Sequence, residues 1–179
     1  MARSKYIDSV LKAAGNKPQS VAWFRNKIKE FGTPKSMDLI RDGKRTSIPT
    51  FGLLNMFVYD PKLKDKLPYY DTFPLVLPIE EYNNGFLGIN LHYLSIPMRI
   101  RLLDRLTETA NNKKFDESTR LNADYSKLKN VNLIKPCLKR YLAGQVKSKF
   151  RKVGADEFII ATLLPVQKFK KQSDSHVFG

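Results

Sequence analysis

Cysteine is almost missing from this chain. Cys137 stands alone, so no intramolecular disulfide framework and no multi-cysteine zinc site can form. Histidine is nearly as scarce: His92 and His176 are far apart and lack metal-site spacing. No apolar run reaches the ~18 residues of a membrane span. The opening stretch MARSKYIDSVLKAAG has no apolar centre of the kind a secretory leader needs. There is no glycine loop to cradle phosphates, no Gly-x-Ser-x-Gly elbow, no internal repeat and no low-complexity tract. These absences give the expectation of a soluble protein from a reducing compartment. No cofactor, no metal, no membrane and no small-molecule substrate are expected.

What is present begins with size and charge. A chain of 179 residues fits one globular domain, and eleven Phe, eight Tyr and one Trp require a core. The formal net charge is +15, a field that attracts phosphate backbones or acidic proteins. It is unevenly spread: +7 over residues 1–50, −1 over 51–100 and +9 over 101–179. Between Lys127 and Lys152 there is no Asp or Glu at all. A solvated surface normally mixes signs, so this run needs an anionic neighbour.

The pattern of apolar residues predicts α+β: a small antiparallel sheet of about four strands, packed helices and a basic N-terminal arm. The expected boundary separates a helical segment and arm, 1–49, from an α+β core, 50–179. A first helix lies within YIDSVLKAAG. Ser20 can cap a second, VAWFRNKIKEF, with Phe24, Ile28 and Phe31 on one face. Residues 33–50 read as an extended basic arm with little to bury. Strands are expected at 51–60, 73–79, 86–94 and 157–166. Pro74 and Pro78 suggest an edge position, or a strand with frayed ends, for the second. Asn83-Asn84-Gly85 is a hairpin turn with positive φ at the glycine, and Gly88 marks a bulge or a close backbone approach. Ser95 starts a helix with Pro97 in its first turn. STRLNADYSKLKN suits a helix with Leu121, Tyr125 and Leu128 on its stripe. CLKRYLAGQVKSKF reads as another, burying Leu138, Tyr141 and Leu142 and sharing Arg140 and Lys147 on its outer face.

Few residues suggest catalysis. Cys137 reads as a small buried residue on a helix. His92, between Leu91 and Tyr93, reads as a structural histidine bonded to a carbonyl or carboxylate. Glu80 and Glu81 are adjacent on a strand end and point apart. Asp60, Asp65 and Asp71 do not have the spacing of a metal-dependent nuclease, a third function class that carboxylates beside lysines could suggest. Tyr69, Tyr70 and Phe73 read as aromatics packing a loop onto the sheet, with base stacking as the alternative. The basic residues are the candidate site. Lys35, Arg41, Lys44 and Arg45 lie in the arm, and Lys135, Lys139, Arg140, Lys147, Lys149, Arg151 and Lys152 crowd the acid-free run.

The stretch MFVYDPKLKDKLPYYDTFPLVLPI, then GFLGINLHYL running into PMRIRLLDRL, and later CLKRYL and LLPVQKF carry a resemblance. It spans about residues 50–170. The chain resembles a family of small virion or genome-packaging proteins of large contractile-tailed bacteriophages. The resemblance implies a DNA-end-protecting or neck-associated role, without catalytic residues. It also implies host cytoplasm during assembly and then the particle. The leading reading is a non-enzymatic phage structural protein contacting DNA, without sequence preference, near the packaged genome end or the head–tail junction. The alternative is a tail or baseplate assembly protein whose basic arm clasps acidic virion subunits without touching DNA.

Overall fold

Apolar residues at helical spacing fix the N-terminal pair of helices. The computed structural model describes residues 5–178. Helix α1 (Lys5–Ala14) buries Ile7 and Val10, and Asp8 pairs with Lys12 one turn later at 2.9 Å. Gly15 ends it with φ +65, a conformation glycine adopts without strain. Helix α2 (Val21–Phe31) starts at Ser20, whose hydroxyl accepts from the Trp23 amide at 3.1 Å. Phe24 and Ile28 face inward.

The segment expected to be an extended arm is partly helical and partly built into the sheet. Helix α3 (Ser36–Asp42) buries Leu39 and Ile40. Strand β1 (Arg45–Thr46) then pairs with β7 (Phe150–Val153). The sequence cue was Leu39-Ile40, two adjacent apolar residues in a polar run too short to show a period.

The sheet has six strands in the order β1-β7-β2-β4-β5-β6, every pairing antiparallel. Strands β2 (Leu54–Met56), β4 (Leu75–Tyr82), β5 (Gly85–Asn90) and β6 (Leu138–Leu142) complete it. A separate ribbon pairs β3 (Tyr70–Asp71) with β8 (Phe169–Lys170). Strand β4 is central, not an edge. Pro78 is accommodated because the register shifts between Pro78 and Glu80, a bulge opposite Gly88. Gly88 is also a close approach: a Cβ there would stand 2.2 Å from Val76 Cγ1.

The β4–β5 hairpin turns at Asn83-Asn84, with Tyr82 opposite Gly85. Gly85 has φ +156, and a Cβ on it would lie 1.9 Å from the carbonyl oxygen of Tyr141 on the neighbouring β6. Backbone cannot retreat as a flexible side chain can. Gly85→Val is therefore expected to lower unfolding free energy by about 1–3 kcal/mol, the range for strained backbone positions. A chemical-denaturation midpoint equal to wild type would show that β5 and β6 are not in this register.

Three further expectations change. Residues 157–166 form no strand: a single 3₁₀ turn (Ala155–Glu157) leads into helix α6 (Phe158–Leu163). The helix expected over CLKRYLAGQVKSKF is instead a 3₁₀ turn (Lys135–Cys137), strand β6, a second 3₁₀ turn (Ala143–Gln145) and strand β7. The helix expected over STRLNADYSKLKN shrinks to α5 (Tyr125–Leu128), with Leu121 buried outside it. Helix α4 (Ile96–Thr107) follows Ser95 as expected, and α7 (Asp174–Phe178) closes the described chain.

Alternation on the strands sorts the core into two layers. Leu75 and Leu77 join the large cluster under α1, α2, α4 and α6, while Val76 between them points the other way. That second side is aromatic. Phe57 is fully buried and its ring lies 4.8 Å from Phe150, 5.2 Å from Tyr141 and 6.0 Å from Phe86. The Tyr141 and Phe86 pairs are edge-to-face and the Phe150 pair is tilted; aromatic pairs add about 0.5–1.5 kcal/mol each to the burial term. They explain why Tyr141 lies on a strand: its ring completes this cluster.

Candidate nucleic-acid interface

The fold distributes the eleven candidate basic residues over the β1 side of the sheet, helix α3 and the β6 side, and buries one of them. At the β1 edge, Arg45 lies opposite Arg151, and the Lys152 amide donates to the carbonyl of Lys44 at 2.8 Å. Lys44, Arg45 and Lys149 are exposed there and Lys152 is half-buried. Burial depresses the Lys152 pKa, and the neighbouring charges of Lys44 and Arg120 depress it further. Arg120 joins this cluster from the loop after α4. Its sequence neighbourhood, polar and acidic by turns, gave no sign of that. Lys35 and Arg41 are exposed on α3, where Arg41 pairs with Asp38.

Arg151 is not available to a phosphate. It is 1% exposed, and its guanidinium holds Glu157 in a two-point pair: Nη1 donates to Oε2 at 3.2 Å and Nη2 to Oε1 at 2.9 Å. Glu157 Oε2 also accepts from the Gly154 amide at 2.9 Å. The stem passes against Gly43, where a Cβ would stand 2.1 Å from Arg151 Nε. Gly43 thus makes room for this side chain. The acid that neutralises Arg151 lies just beyond the acid-free run.

At the β6 edge, Lys139 and Arg140 are engaged with rings. Lys139 Nζ lies 4.1 Å from the centroid of Tyr93, and the Arg140 guanidinium lies 4.3 Å from that of Tyr82. Arg140 also donates to Asn84 Oδ1 at 2.8 Å, across the hairpin turn. Burial lowers the Lys139 pKa. Lys135 is exposed before β6. Lys147 is exposed too, but it follows a 3₁₀ turn, and its Nζ reaches back to the Gly144 carbonyl at 3.4 Å. It therefore shares no helix face with Arg140.

Between β6 and the loop 61–69 opens a groove of about 480 Å³ that the sequence did not announce. Tyr69, Tyr70, Tyr93, Lys62, Lys139 and Arg140 are among its walls. The loop is pinned from the C-terminal side. Lys171 donates to the carbonyls of Lys64, Asp65 and Leu67 at 2.6, 3.1 and 2.8 Å. Tyr69 is wedged among Tyr93, Phe169 and His176, so the packing reading of that aromatic holds.

Beneath the groove lies a buried polar network. Asp71 accepts from the Phe73 and Lys168 amides at 2.9 and 3.0 Å, from Asn90 Nδ2 at 3.2 Å and from His92 Nδ1 at 2.9 Å. Burial pushes the carboxyl pKa up, but the His92 side chain and the amide donors outweigh it, so the net shift is down and Asp71 is an anion. Burial dominates at His92 and holds its pKa below the usual 6.5, so the ring is neutral with its proton on Nδ1. His92 is thus the carboxylate-bonded structural histidine expected, though it lies in a 3₁₀ turn (Leu91–Tyr93) and not on a strand. Behind it Arg99 is buried. It donates to Leu94 O at 2.8 Å, Leu164 O at 3.3 Å and Gln167 Oε1 at 2.9 Å. Burial brings its pKa down to about 10, so it is charged at neutral pH. Cys137 is buried, and its thiol pKa is pushed up to about 12 by desolvation, so it is not a nucleophile at neutral pH.

Among the described residues no group of three or more His, Cys, Asp or Glu side chains is placed to hold a metal ion. Nor is any helix among them long and apolar enough to cross a membrane. A family model described as "Phage T4 terminal DNA protecting protein" matches residues 3–178, nearly the whole chain. The chain belongs to that family. No curated protein and no solved structure matches it. Membership of the terminal DNA protecting family makes this a bacteriophage protein of a DNA-end-protecting group.

Proposed function

We propose that this protein binds the free ends of linear phage DNA, without reading sequence, and shields them from enzymes that begin at a terminus. The work is steric and electrostatic, not catalytic. It takes place in the host cytoplasm during assembly and then in the particle, near the packaged genome end or the head–tail junction. The observation that carries this reading is the convergence of Lys44, Arg45, Lys149 and Lys152, from two distant segments, on one sheet edge. Such like charges repel one another in isolation, and a phosphate backbone offsets that repulsion by releasing its counterions. Family membership points to DNA as that anion.

The test is a salt titration of affinity for a short duplex. Arg45→Glu with Lys149→Glu changes two exposed charges, so the fold should be kept. The wild type should show a steep linear fall of log affinity with log salt, and the pair should flatten that slope by about 2. A duplex with both ends closed by hairpin loops should bind more weakly than one with free ends. Absence of DNA binding at low salt would defeat the proposal and leave the clasping of an acidic virion subunit in its place.

A further inference from the structure

The groove between β6 and the loop 61–69 offers a second kind of contact, distinct from phosphate neutralisation. Its walls combine tyrosine rings with two cations, Lys62 and Lys139; Arg140 borders it too, but its guanidinium is engaged by Tyr82 and Asn84 outside the groove. Asp71 reaches the lining but is 3% exposed and committed to four internal hydrogen bonds. The lining is thus electropositive, and its rings are amphipathic. Tyr70 is half-buried and makes none of the ring contacts that engage Tyr69 among the described residues. Leu63, at the lip, is 57% exposed. The volume of about 480 Å³ lies within the range of small-ligand sites.

The loop that makes the outer wall is anchored by buried Pro61, by Tyr69 among its rings, by the three carbonyl contacts of Lys171 and by the Lys64–Asp60 pair at 2.9 Å. The cavity is therefore pre-formed, which reduces the ordering cost of binding. An occupant suited to it has a flat π-face for the rings and a negative charge for the lysines at the rim. A nucleotide freed from its base pair meets both requirements, because aromatic stacking with backbone cations is how single strands are held without sequence preference.

We propose that this groove receives an unpaired nucleotide at the end of a DNA strand, with the base against Tyr70 and its phosphate beside Lys62 and Lys139. The inference rests on the end-binding reading and deepens it: the protein would recognise an end by a base that duplex interior does not offer. A single-nucleotide overhang gives the end something to insert, whereas a blunt end must first fray.

The experiment compares end-labelled duplexes with blunt ends, single-nucleotide 3′ or 5′ overhangs and four-nucleotide overhangs, by fluorescence anisotropy at fixed salt. The wild type should bind at least one overhang class about tenfold tighter than blunt duplex, the scale of one base–aromatic stack. Tyr70→Leu should abolish that preference, bringing overhang and blunt-end affinities together. Lys62→Gln, at an exposed position that should not threaten folding, should reduce the preference several-fold. A free deoxynucleoside monophosphate at millimolar concentration should compete with overhang binding only. Equal affinity for blunt and overhanging ends would overturn the groove proposal while leaving end binding intact. So would an overhang preference that survives both substitutions. Loss of all DNA binding by wild type is instead the failure of the underlying reading.

Discussion

Arg151→Met should lower unfolding free energy by about 3–5 kcal/mol, the cost of leaving a buried charge without its partner. Glu157 is 4% exposed, and with Arg151 gone its carboxylate keeps only the Gly154 amide. Glu157→Gln should be comparably harmful, because it strands a guanidinium that is 1% exposed. Replacing both together, Arg151→Met with Glu157→Leu, should recover much of the loss, since a buried ion pair and an apolar pair of similar volume are close in stability. Urea midpoints for the four proteins measure this directly. The DNA titration gives the contrasting arm: Lys149→Glu, two residues away and exposed, should weaken binding with little change in midpoint. Should Arg151→Met instead unfold like wild type and lose DNA affinity, Arg151 would be an exposed contact and the placement of β7 in the sheet would be wrong.

That contrast shows why the charge distribution was legible in the sequence and the role of each charge was not. An acid-free run states that something anionic must be near. It does not say that Glu157, five residues past its end, already serves Arg151. Lys139 and Arg140 have the same limitation: only the sheet brings Tyr93 and Tyr82 beneath them. The groove was invisible for a related reason. Lys62 and Tyr70 border it from one side and Lys139 and Arg140 from the other, and no local pattern encodes their approach.

The fold was readable where a period or a capping residue decided the matter. Ser20, Ser95 and Asn83-Asn84-Gly85 each marked a boundary that the structure keeps. It was unreadable where burial is all round. Helix α6 buries Phe158, Ile160, Ala161, Thr162 and Leu163, leaving no polar face to reveal a helical period, so its short apolar run passed for a strand. The usable cue was Gly154-Ala155-Asp156-Glu157, a glycine followed three residues later by a glutamate that bonds back to it. Strand β6 failed in the opposite sense. Leu138, Tyr141 and Leu142 have helical spacing, but β6 is an edge strand with Leu138, Lys139 and Leu142 half-buried, so it never shows clean alternation.

The largest loss of stability is expected at Asp71, where one carboxylate serves four donors from three parts of the chain. Asp71→Ala strands the Phe73 and Lys168 amides, Asn90 and His92 together. At about 1–3 kcal/mol for each buried donor left unpaired, the cost is on the order of 4 kcal/mol or more. Asp71→Asn keeps the shape and part of the acceptor capacity, so it should cost roughly half as much. The same network sets the response to acid. The folded-state pKa of His92 lies below its unfolded value of 6.5, so the unfolded chain takes up the proton first. Its contribution is complete above pH 6.5 and is lost as pH falls towards the depressed folded value. The slope approaches about 1.4 kcal/mol per pH unit. Asp71, also depressed from 3.8, adds a second loss that begins only below that value. Urea midpoints should therefore decline from neutral pH towards pH 5 in wild type. In His92→Gln, which has no proton to gain there, they should start lower and stay nearly flat. A wild-type midpoint that is constant across this window would mean that His92 is not the buried neutral ring holding Asp71 beneath the groove.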